Sequence, residues 1–350
     1  MAPCLLPEND VVAPQSIRSG ELESLLSAFA DAGESLYADD THAARPSESR
    51  TRALLDPRHP TVRRCQVRLF IDERAPARVA AIVNPRLVED GSPVGLLGFF
   101  EAADDAAAAG RLLAEATAWL YAQGCGRVRG PMNFTTWHDY RFVTEGEAGW
   151  IPGEPYHHRY YPRLWEASGF AAAGRYASHW VADIDAVLAR FAARAELATA
   201  SGVSLRPVEP GDLPALYRLA VAGFADNWQY SPIDPEEFAA LYSGERSAAG
   251  AATSYVAVAG GAPIGFYYTF RAVLPAGETS IGKTIVVDAG QRDRGVYHLM
   301  MSAWLREAKA AVGRAIAALF HCDGSPALMG WERAGAAFKR YALYEHQRNY

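Results

Sequence analysis

Residues 283–313 form the stretch of the chain whose residue types are best suited to binding an anion. A β-branched run precedes a turn that carries Gly290 and Gly295, and an amphipathic helical pattern follows at once. A strand, a short loop and a helix in this order point the N–H groups of the loop and of the helix N-terminus in one direction. Arg292 and Arg294 add positive charge in the same turn. The sequence therefore predicts a site for a phosphate-like anion.

A second polar segment, residues 130–158, follows a predicted strand at 127–130 and is rich in histidine and aromatic residues. Open α/β sheets bind ligands at such strand ends, which indicates a substrate pocket. His138, beside an aspartate, is a candidate catalytic base, and the candidate substrate-binding residues are Asn133, Thr135, Trp137 and Asp139. The alternative is an ordered loop that covers the sheet and satisfies its own polar groups. No metal site is predicted, because the adjacent His157 and His158 would face opposite ways along a strand.

His321 is a further candidate for acid–base chemistry, because it lies at the end of a predicted strand, next to Cys322 and Asp323. It could act as a base toward an amine substrate, or it could be a strand-end histidine with an ordinary hydrogen bond. A Cys–His nucleophile is excluded, because neighbours in a strand do not face each other.

The elements that must position these residues follow from hydrophobic periodicity and turn signals. In the second half, the pattern predicts a strand near 204, a helix from 212, a helix at 235–242 and a hairpin around Gly260. A strand at 281–287, the anion-site loop and its helix come next. A strand at 315–320 and a final helix follow. For the first half, the pattern predicts a loose arm at 1–15, a helix near 21–32, a loop to about 60, strands at 65–72, 77–84 and 94–101, and a helix at 104–123.

Residues 292–297, RDRGVY, resemble the acetyl-CoA pyrophosphate loop of the GNAT acyltransferases, Arg/Gln-x-x-Gly-x-Gly/Ala, with Tyr297 in place of the last small residue. Gly324, Ala327, Trp331 and Gly335 keep the spacing of the closing GNAT helix, and Trp331 occupies the place of the tyrosine that often protonates the CoA thiolate. The candidates for that proton donor are then the hydroxyls of Tyr297, Tyr341 and Tyr344, or His298 at the start of the long helix. The resemblance implies an acyl-CoA site made of Ile285, Val286, Val287, Arg292, Asp293, Arg294, Gly295, Val296 and Tyr297.

Both halves of the chain end alike, since residues 161–170 (YPRLWEASGF) align with 329–336 (MGWERAGA) at a period near 165 residues. Tandem GNAT proteins are similar in this respect, and one group of them carries segments like GPMNFT (130–135) and YYPRLWEASGF (160–170). The resemblance implies an α/β (α+β) fold with two GNAT-like domains, each a mixed, mostly antiparallel sheet flanked by helices. The predicted limits are 1–182 for a degenerate N-terminal domain, 183–202 for a helical connector and 203–350 for the domain that binds acyl-CoA.

Two consequences for the site follow from the same resemblance. In GNATs the link between the first two helices often lines the acceptor pocket, so Trp228 and Tyr230 are candidate substrate-binding residues. Only the second half is expected to bind CoA, because the matching turn of the first half, 102–105, reads AADD and would repel a pyrophosphate.

Composition limits the class of partner and the compartment. Asp and Glu number 40 against 34 Lys and Arg, a net charge of −6, which argues against a nucleic-acid partner. The four cysteines are scattered without a C-x-x-C pair, as in a reduced cytosolic protein. Neither a signal-peptide pattern nor an apolar run of membrane-spanning length is present in the sequence, so we expect a soluble, cytoplasmic protein without a membrane partner.

The sequence thus predicts an N-acyltransferase that moves an acyl group, first of all acetyl, from acyl-CoA to an amine of a small molecule, without a metal. GNAT chemistry holds the thioester carbonyl on backbone N–H groups, and the neutral amine attacks directly. One alternative is an aminoacyl-tRNA-dependent transferase, which the negative net charge disfavours. The other is a non-catalytic protein that binds CoA or a small molecule, which the residues at Tyr297 and Trp331 leave open. The sequence does not specify the acceptor, the acyl length or the oligomeric state.

Overall fold

The computed structural model describes residues 17–42, 44–151, 153–242, 254–322 and 330–347. The motif positions Gly324 and Ala327 lie outside these residues. The described part of the first half contains, in chain order, β1 (Ile17–Glu21), α1 (Leu22–Glu34), α2 (Glu48–Leu54), β2 (Gln66–Asp72), β3 (Ala77–Glu89), β4 (Ser92–Ala102), α3 (Ala106–Ala122), β5 (Arg127–Gly130), β6 (Phe142–Gly146), α4 (Tyr161–Ala167) and β7 (Phe170–Trp180).

The stretch predicted as a helical connector forms α5 (Ile184–Ala200). The second half then contains β8 (Ser204–Pro207), α6 (Leu213–Phe224), α7 (Pro235–Tyr242), β9 (Tyr255–Ala259), β10 (Ala262–Leu274), β11 (Gly277–Val287), α8 (Val296–Ala311), β12 (Ala315–His321), α9 (Trp331–Ala334) and β13 (Ala337–His346). Among the described helices, none has the length and the apolar composition needed to cross a membrane.

Three elements, β1, α2 and β6, occur where the sequence pattern predicts no regular structure. α2 is a two-turn helix with Ser47 as its N-cap, and the hydroxyl of Ser47 accepts a hydrogen bond from the N–H of Arg50 at 3.3 Å. β1 and β6 pair with β2 and β13, which are remote in sequence. Local periodicity cannot reveal strands that exist because of distant partners.

All the described strands belong to one 13-stranded sheet with the order β1-β2-β3-β4-β5-β13-β7-β12-β11-β10-β9-β8, and β6 also pairs with β13. The sheet is mostly antiparallel, and β4–β5 and β11–β12 are parallel pairs. The last strands of the two halves are exchanged, because β13 lies between β5 and β7 while β7 lies beside β12. Each half of the sheet is therefore completed by the closing strand of the other half.

Helices cover both faces of the sheet. In the second half, α5 and α8 pack on one face against residues such as Tyr267 and Ala317. Their sequence neighbours Phe266 and Ile316 face the other side, toward α6 and α7 or toward Ile151 of the first half. The alternation of a strand thus separates two apolar layers.

Candidate functional site

The parallel strands β11 and β12 separate after a short paired segment. Residues 280–282 pair with 315–317, and no pairing of these strands continues beyond that point in the described residues. The strand residues that follow, 283–285 on β11 and 319–321 on β12, are only half-buried. The two strands therefore border a wedge-shaped gap, which we call the second opening.

The parallel strands β4 and β5 begin in the same way, but their gap, the first opening, is filled by the chain itself. The N–H of Met132 donates to the carbonyl oxygen of Leu97 at 2.9 Å. Oδ1 of Asn133 accepts a hydrogen bond from the N–H of Phe99 at 2.8 Å. Gly98 is needed here, because a Cβ would lie 2.6 Å from the carbonyl oxygen of Met132. Asn133, a predicted substrate residue, is in this structure the residue that closes the first opening.

The loop after β11 presents the predicted anion-binding residues at the surface. Arg292, Asp293 and Arg294 are exposed, and Gly295 begins α8 with a φ of 82°. Val296 and its neighbours start the helix, whose first turn leaves N–H groups without intrahelical partners. A cleft of about 350 Å³ beside this loop lies between α6 and the end of β11, and Arg218 and Arg292 are among its lining residues.

The end of β11 connects the second opening to this loop. Ile285 and Val287 are half-buried on the side of α8. Val286 is buried on the opposite side, under α6. The backbone of these three residues is therefore held from both faces while its edge toward β12 lies along the opening.

Positive charge gathers around the N-terminus of α8 from two elements. Besides the loop arginines, Arg190 and Arg194 reach it from α5, and Arg194 donates to the carbonyl oxygen of Asp293 at 3.1 Å. Burial and then the charges of Arg194 and Arg190 lower the pKa of His298 in the first turn. Nδ1 of His298 is buried without a hydrogen-bond partner among the described residues. Cationic side chains around a helix N-terminus are the arrangement that binds anions.

The two departures from the GNAT pattern are in contact with each other. Nε1 of Trp331 donates to the hydroxyl of Tyr297 at 3.3 Å, and Phe191 of α5 packs edge-on against both rings. Burial raises the pKa of Tyr297 to about 12. Gly295 touches the same helix, because a Cβ there would overlap the carbonyl oxygen of Arg194. The packing of α5 on α8 thus accounts for the residue types at these positions, and their role toward a cofactor stays a prediction.

His321 and Trp228, predicted for different roles, lie together at the open end of β12. The half-buried imidazole is 4.9 Å from the ring of Tyr176 and 5.8 Å from the indole of Trp228, between ring centroids. The guanidinium of Arg129 lies over the indole at 5.0 Å. Gly174 makes room for the indole, since a Cβ there would overlap it. A half-buried histidine with aromatic walls can accept a proton from a bound amine.

Tyr341, one of the candidate proton donors, is buried in a hydrogen-bonded cluster. Its hydroxyl donates to Oε1 of Glu154 and lies 3.0 Å from the hydroxyl of Ser178. Nζ of Lys339 donates to the other carboxylate oxygen at 2.7 Å. Burial, and next the charge of Glu154, raise the pKa of Tyr341 well above its ordinary value. The hydroxyl already donates its proton in the hydrogen bond to Glu154, and a catalytic role for Tyr341 stays a prediction.

The first half forms one wall beside the second opening through residues 147–151 and 153–155. Ile151 packs into the apolar cluster that contains Phe270, Ile281 and Ile316. Gly153, with a φ of 84°, lies against Lys283 at the start of the opening, and a Cβ there would overlap Nζ. The sequence pattern predicts substrate-binding residues at 133–139, whereas the first-half residues beside the second opening belong to a different loop.

Trp137 and Tyr230 join the two halves by packing against each other. Nε1 of Trp137 donates to the carbonyl oxygen of Ser231 at 3.0 Å, and its ring contacts those of Tyr230 and Phe238. Trp137 is buried and Tyr230 is half-buried. The structure thus places both residues in the core between the halves, and substrate binding by them stays a prediction.

Thr135, His138 and Asp139 lie in the first half. The buried hydroxyl of Thr135 is 2.9 Å from Nδ1 of His138. Asp139 forms an ion pair with Arg50 at 3.5 Å. In the part of the chain that the structure describes, no group of three or more His, Cys, Asp and Glu side chains is arranged to hold a metal ion.

A cavity of about 90 Å³ lies in the first half, between β4, α2 and loop residues from 131–140 and 155–157. Asn133 and Asp139 are among its lining residues, and so is Glu101 at the end of β4. Burial raises the pKa of Glu101 to about 7, although the charge of Arg78 and hydrogen bonds from Tyr161 and Tyr37 act to lower it. The cavity therefore contains a carboxyl group that titrates near neutral pH.

This pKa predicts a dependence of stability on pH. Because the folded state binds the proton of Glu101 more tightly than the unfolded state, the stability that this proton contributes is fully present below about pH 4.5 and is lost as pH rises from there through about 7. Between pH 5.5 and 8.5 we expect the wild type to lose about 2 kcal/mol of unfolding free energy relative to Glu101→Gln. Urea unfolding of both proteins across this range measures the difference.

His157 contributes with the opposite sign. Burial lowers its pKa to about 4, so its contribution is lost as pH falls below about 6.5. The wild type and Glu101→Gln both contain His157, so its contribution cancels when their unfolding free energies are compared. Parallel curves for wild type and Glu101→Gln would contradict a raised pKa at Glu101.

The polar residues that sequence reasoning missed are Arg78, Glu101 and Glu154. Each is buried. Arg78 stands inside an apolar strand and Glu101 at the end of another, in ARVAAIV and GLLGFFE. Because charged side chains are seldom fully buried without a partner, a charge within an apolar strand was the available signal. Glu154 lies in a loop and gave no comparable signal.

Comparisons with known proteins agree on the fold. No protein-family model matches the chain, and no curated protein is significantly similar to it. A tandem GNAT protein from the clavulanic acid biosynthesis pathway matches with a TM-score of 0.52 and 12% identity, over 95% of this chain and 100% of that one. A GCN5-related N-acetyltransferase from Anabaena variabilis matches with a TM-score of 0.56 and 10% identity, over 94% and 72%. A glucosamine N-acetyltransferase region of a fungal β-N-acetylglucosaminidase matches with a TM-score of 0.52 and 13% identity, over 95% of this chain and 38% of that one.

Identities this low establish the fold alone. The chain has the tandem GNAT fold, with a mixed and mostly antiparallel sheet flanked by helices, and this confirms the predicted fold class. In place of two separate sheets, the strand exchange makes one continuous sheet. A fold does not determine an activity, so the activity has to be argued from the site.

Proposed function

We propose that the protein is an acyl-CoA-dependent N-acyltransferase whose donor site is the second opening, with acetyl-CoA as the expected donor. The single observation that carries the proposal is the contrast between the two openings. The first is filled by Asn133 and followed by an acidic turn, while the second is bordered by half-buried strands and followed by exposed arginines at a helix N-terminus.

The donor would lie across the end of β11. Backbone groups of 285–287 would hold the extended arm and the thioester carbonyl, as strand edges hold a peptide. The pyrophosphate would meet Arg292, Arg294 and the first turn of α8. In this arrangement the nucleotide end can extend into the adjacent cleft that Arg218 and Arg292 line.

The acceptor would be a small molecule with an amine, approaching from the face that carries α6, α7 and the loop around Glu154. His321 would take the proton of the amine, and Trp228 would form a wall. The neutral amine attacks the thioester carbonyl and gives a proton of its nitrogen to His321, and the tetrahedral intermediate collapses to the neutral amide as the C–S bond breaks and the CoA thiolate leaves. The proton held by His321 can then return to the thiolate through solvent.

The test is the affinity for acetyl-CoA, measured by isothermal titration calorimetry. Each charge-assisted hydrogen bond to a phosphate is worth about 1.5–3 kcal/mol, so the double variant Arg292→Glu, Arg294→Glu should weaken binding about 100-fold or more. Both side chains are exposed, so the fold should persist. Free CoA should show the same loss.

Arg58→Glu is the matched control, because Arg58 is an exposed arginine of the first half. Unchanged affinity in the loop variant, or equal loss in the control, would argue against this donor site. Release of free thiol with a panel of small amines tests the transfer itself. Binding of acetyl-CoA without release on any amine would favour a non-catalytic protein.

A further inference from the structure

The cavity of the first half is separate from the second opening. Between the first and second openings lie β5, β13, β7 and β12, which amounts to four strand spacings, or about 19 Å at about 4.8 Å each. A ligand in the cavity therefore cannot touch a thioester held between β11 and β12. Asn133 and Asp139 line the cavity, so they too are separated from the second opening by these strands.

Glu101 presents a carboxylate oxygen that the protein leaves for another donor. Tyr37 and Tyr161 both donate to Oε2, at 2.8 and 2.6 Å. Oε1 accepts no hydrogen bond from the described residues, and Glu101 lines the cavity. Because buried carboxylates are costly unless their oxygens are satisfied, this oxygen calls for a hydrogen-bond donor from a ligand or water.

Arg78, which also lines the cavity, makes its contacts with α1 and α2. Its Nη1 donates to the carbonyl oxygens of Phe29 and Ala30 in the last turns of α1, at 2.7 and 3.3 Å. The negative end of the helix dipole thereby offsets its charge. Its Nη2 donates to the hydroxyl of Thr51 at 3.3 Å, and its Nε packs against Gly33 of α1. The guanidinium of Arg78 is therefore directed toward the two helices.

The walls and the mouth suit a small cation. Aromatic residues contribute much of the lining, and aromatic faces attract ammonium groups. The aromatic lining residues are Phe99, Phe100, Tyr140, Phe142 and Tyr156. Arg50 and Asp139 also line the cavity and pair with each other there. The volume of about 90 Å³ holds several waters, or one small polar molecule.

We propose that this cavity is a second ligand site, which binds a small amine. The ammonium group contacts Oε1 of Glu101 and the aromatic walls. The filled first opening provides no place for an acyl donor beside this ligand. The site therefore binds its amine without acylating it.

Ligand-observed saturation-transfer NMR at pH 8 tests the proposal, with ethanolamine and glycine as probes and ethanol and acetate as matched compounds without an amine. Ethanolamine or glycine should bind the wild type, and Glu101→Gln should weaken that binding at least tenfold. Glutamine keeps an oxygen for the two tyrosines and removes only the charge. Leu54→Trp, which places an indole at the cavity wall, should weaken binding as well.

Controls separate this site from the acyl-transfer site. Glu73→Gln removes an exposed carboxylate of the same half and should leave binding unchanged. Glu101→Gln should bind acetyl-CoA with the same affinity as the wild type. The double variant Arg292→Glu, Arg294→Glu should bind ethanolamine with the same affinity as the wild type. The proposal is overturned if neither probe binds the wild type, if ethanol or acetate binds as tightly, or if Glu101→Gln binds like the wild type.

Discussion

Removal of residues 336–350 is expected to abolish folding of the whole chain, not only of its second half. β13 pairs with β7 along its length and with β5 and β6 on its other edge. Its buried side chains belong to cores of both halves. Phe338 lies in a cluster with β10, β11 and β12, whereas Leu343 and Tyr344 lie in clusters of the first half.

The size of the effect follows from this burial. Four large side chains of β13 are almost fully buried: Phe338, Tyr341, Leu343 and Tyr344. At about 1.5–3 kcal/mol for each, their loss removes about 6–12 kcal/mol, which is as large as the whole stability of a typical protein. Arg129 would also lose its ion pair with Glu345, which joins Nε and Oε2 at 2.6 Å.

The soluble fraction and the thermal transition are measured for the wild type, the truncated chain and the variant Arg340→Ala. Arg340→Ala is the matched control, because this β13 side chain is exposed. Fragments 1–202 and 203–350 should each be insoluble alone, since β7 and β13 would lack their partners, and should become soluble when they are produced together. A monomeric fragment 203–350 with a sharp transition and full acetyl-CoA affinity would contradict the strand exchange.

The repeat and the local elements could be predicted from the sequence, but the strand exchange could not. Residues 170–180 and 337–346 are both aromatic-rich strands that follow a short helix. Either could complete either half, because an antiparallel edge accepts any strand of suitable pattern. Only packing of the whole chain decides between the two arrangements, and the sequence contains no local signal for it.

The candidate site shows the same division. The strand, loop and helix of the second opening could be predicted, because glycine and arginine in a turn have a local physical meaning. Asn133 could be predicted as a polar residue at a strand end, but not the direction of its amide, which points back to the N–H of Phe99. Whether such a residue binds a ligand or replaces one depends on a partner in another strand.

Gly295→Ala is expected to lower the unfolding free energy by about 2–5 kcal/mol, whatever its effect on a cofactor. The residue has a φ of 82°, which costs an L-residue about 1–2 kcal/mol. A Cβ would also overlap the carbonyl oxygen of Arg194, which is backbone of α5 and cannot rotate away. Displacing α5 from α8 adds about 1–3 kcal/mol of packing strain.

Gly202→Ala separates the two causes. Gly202 follows α5, has a φ of 80°, and has nothing within 4 Å of a Cβ, so it should lose only the cost of the backbone conformation. Urea unfolding of both variants and the wild type measures the difference. If Gly295→Ala costs no more than Gly202→Ala, α5 does not press on this glycine as described. In that case, a selective loss of acetyl-CoA affinity in Gly295→Ala would return the glycine to the phosphate-binding role that the sequence pattern predicts.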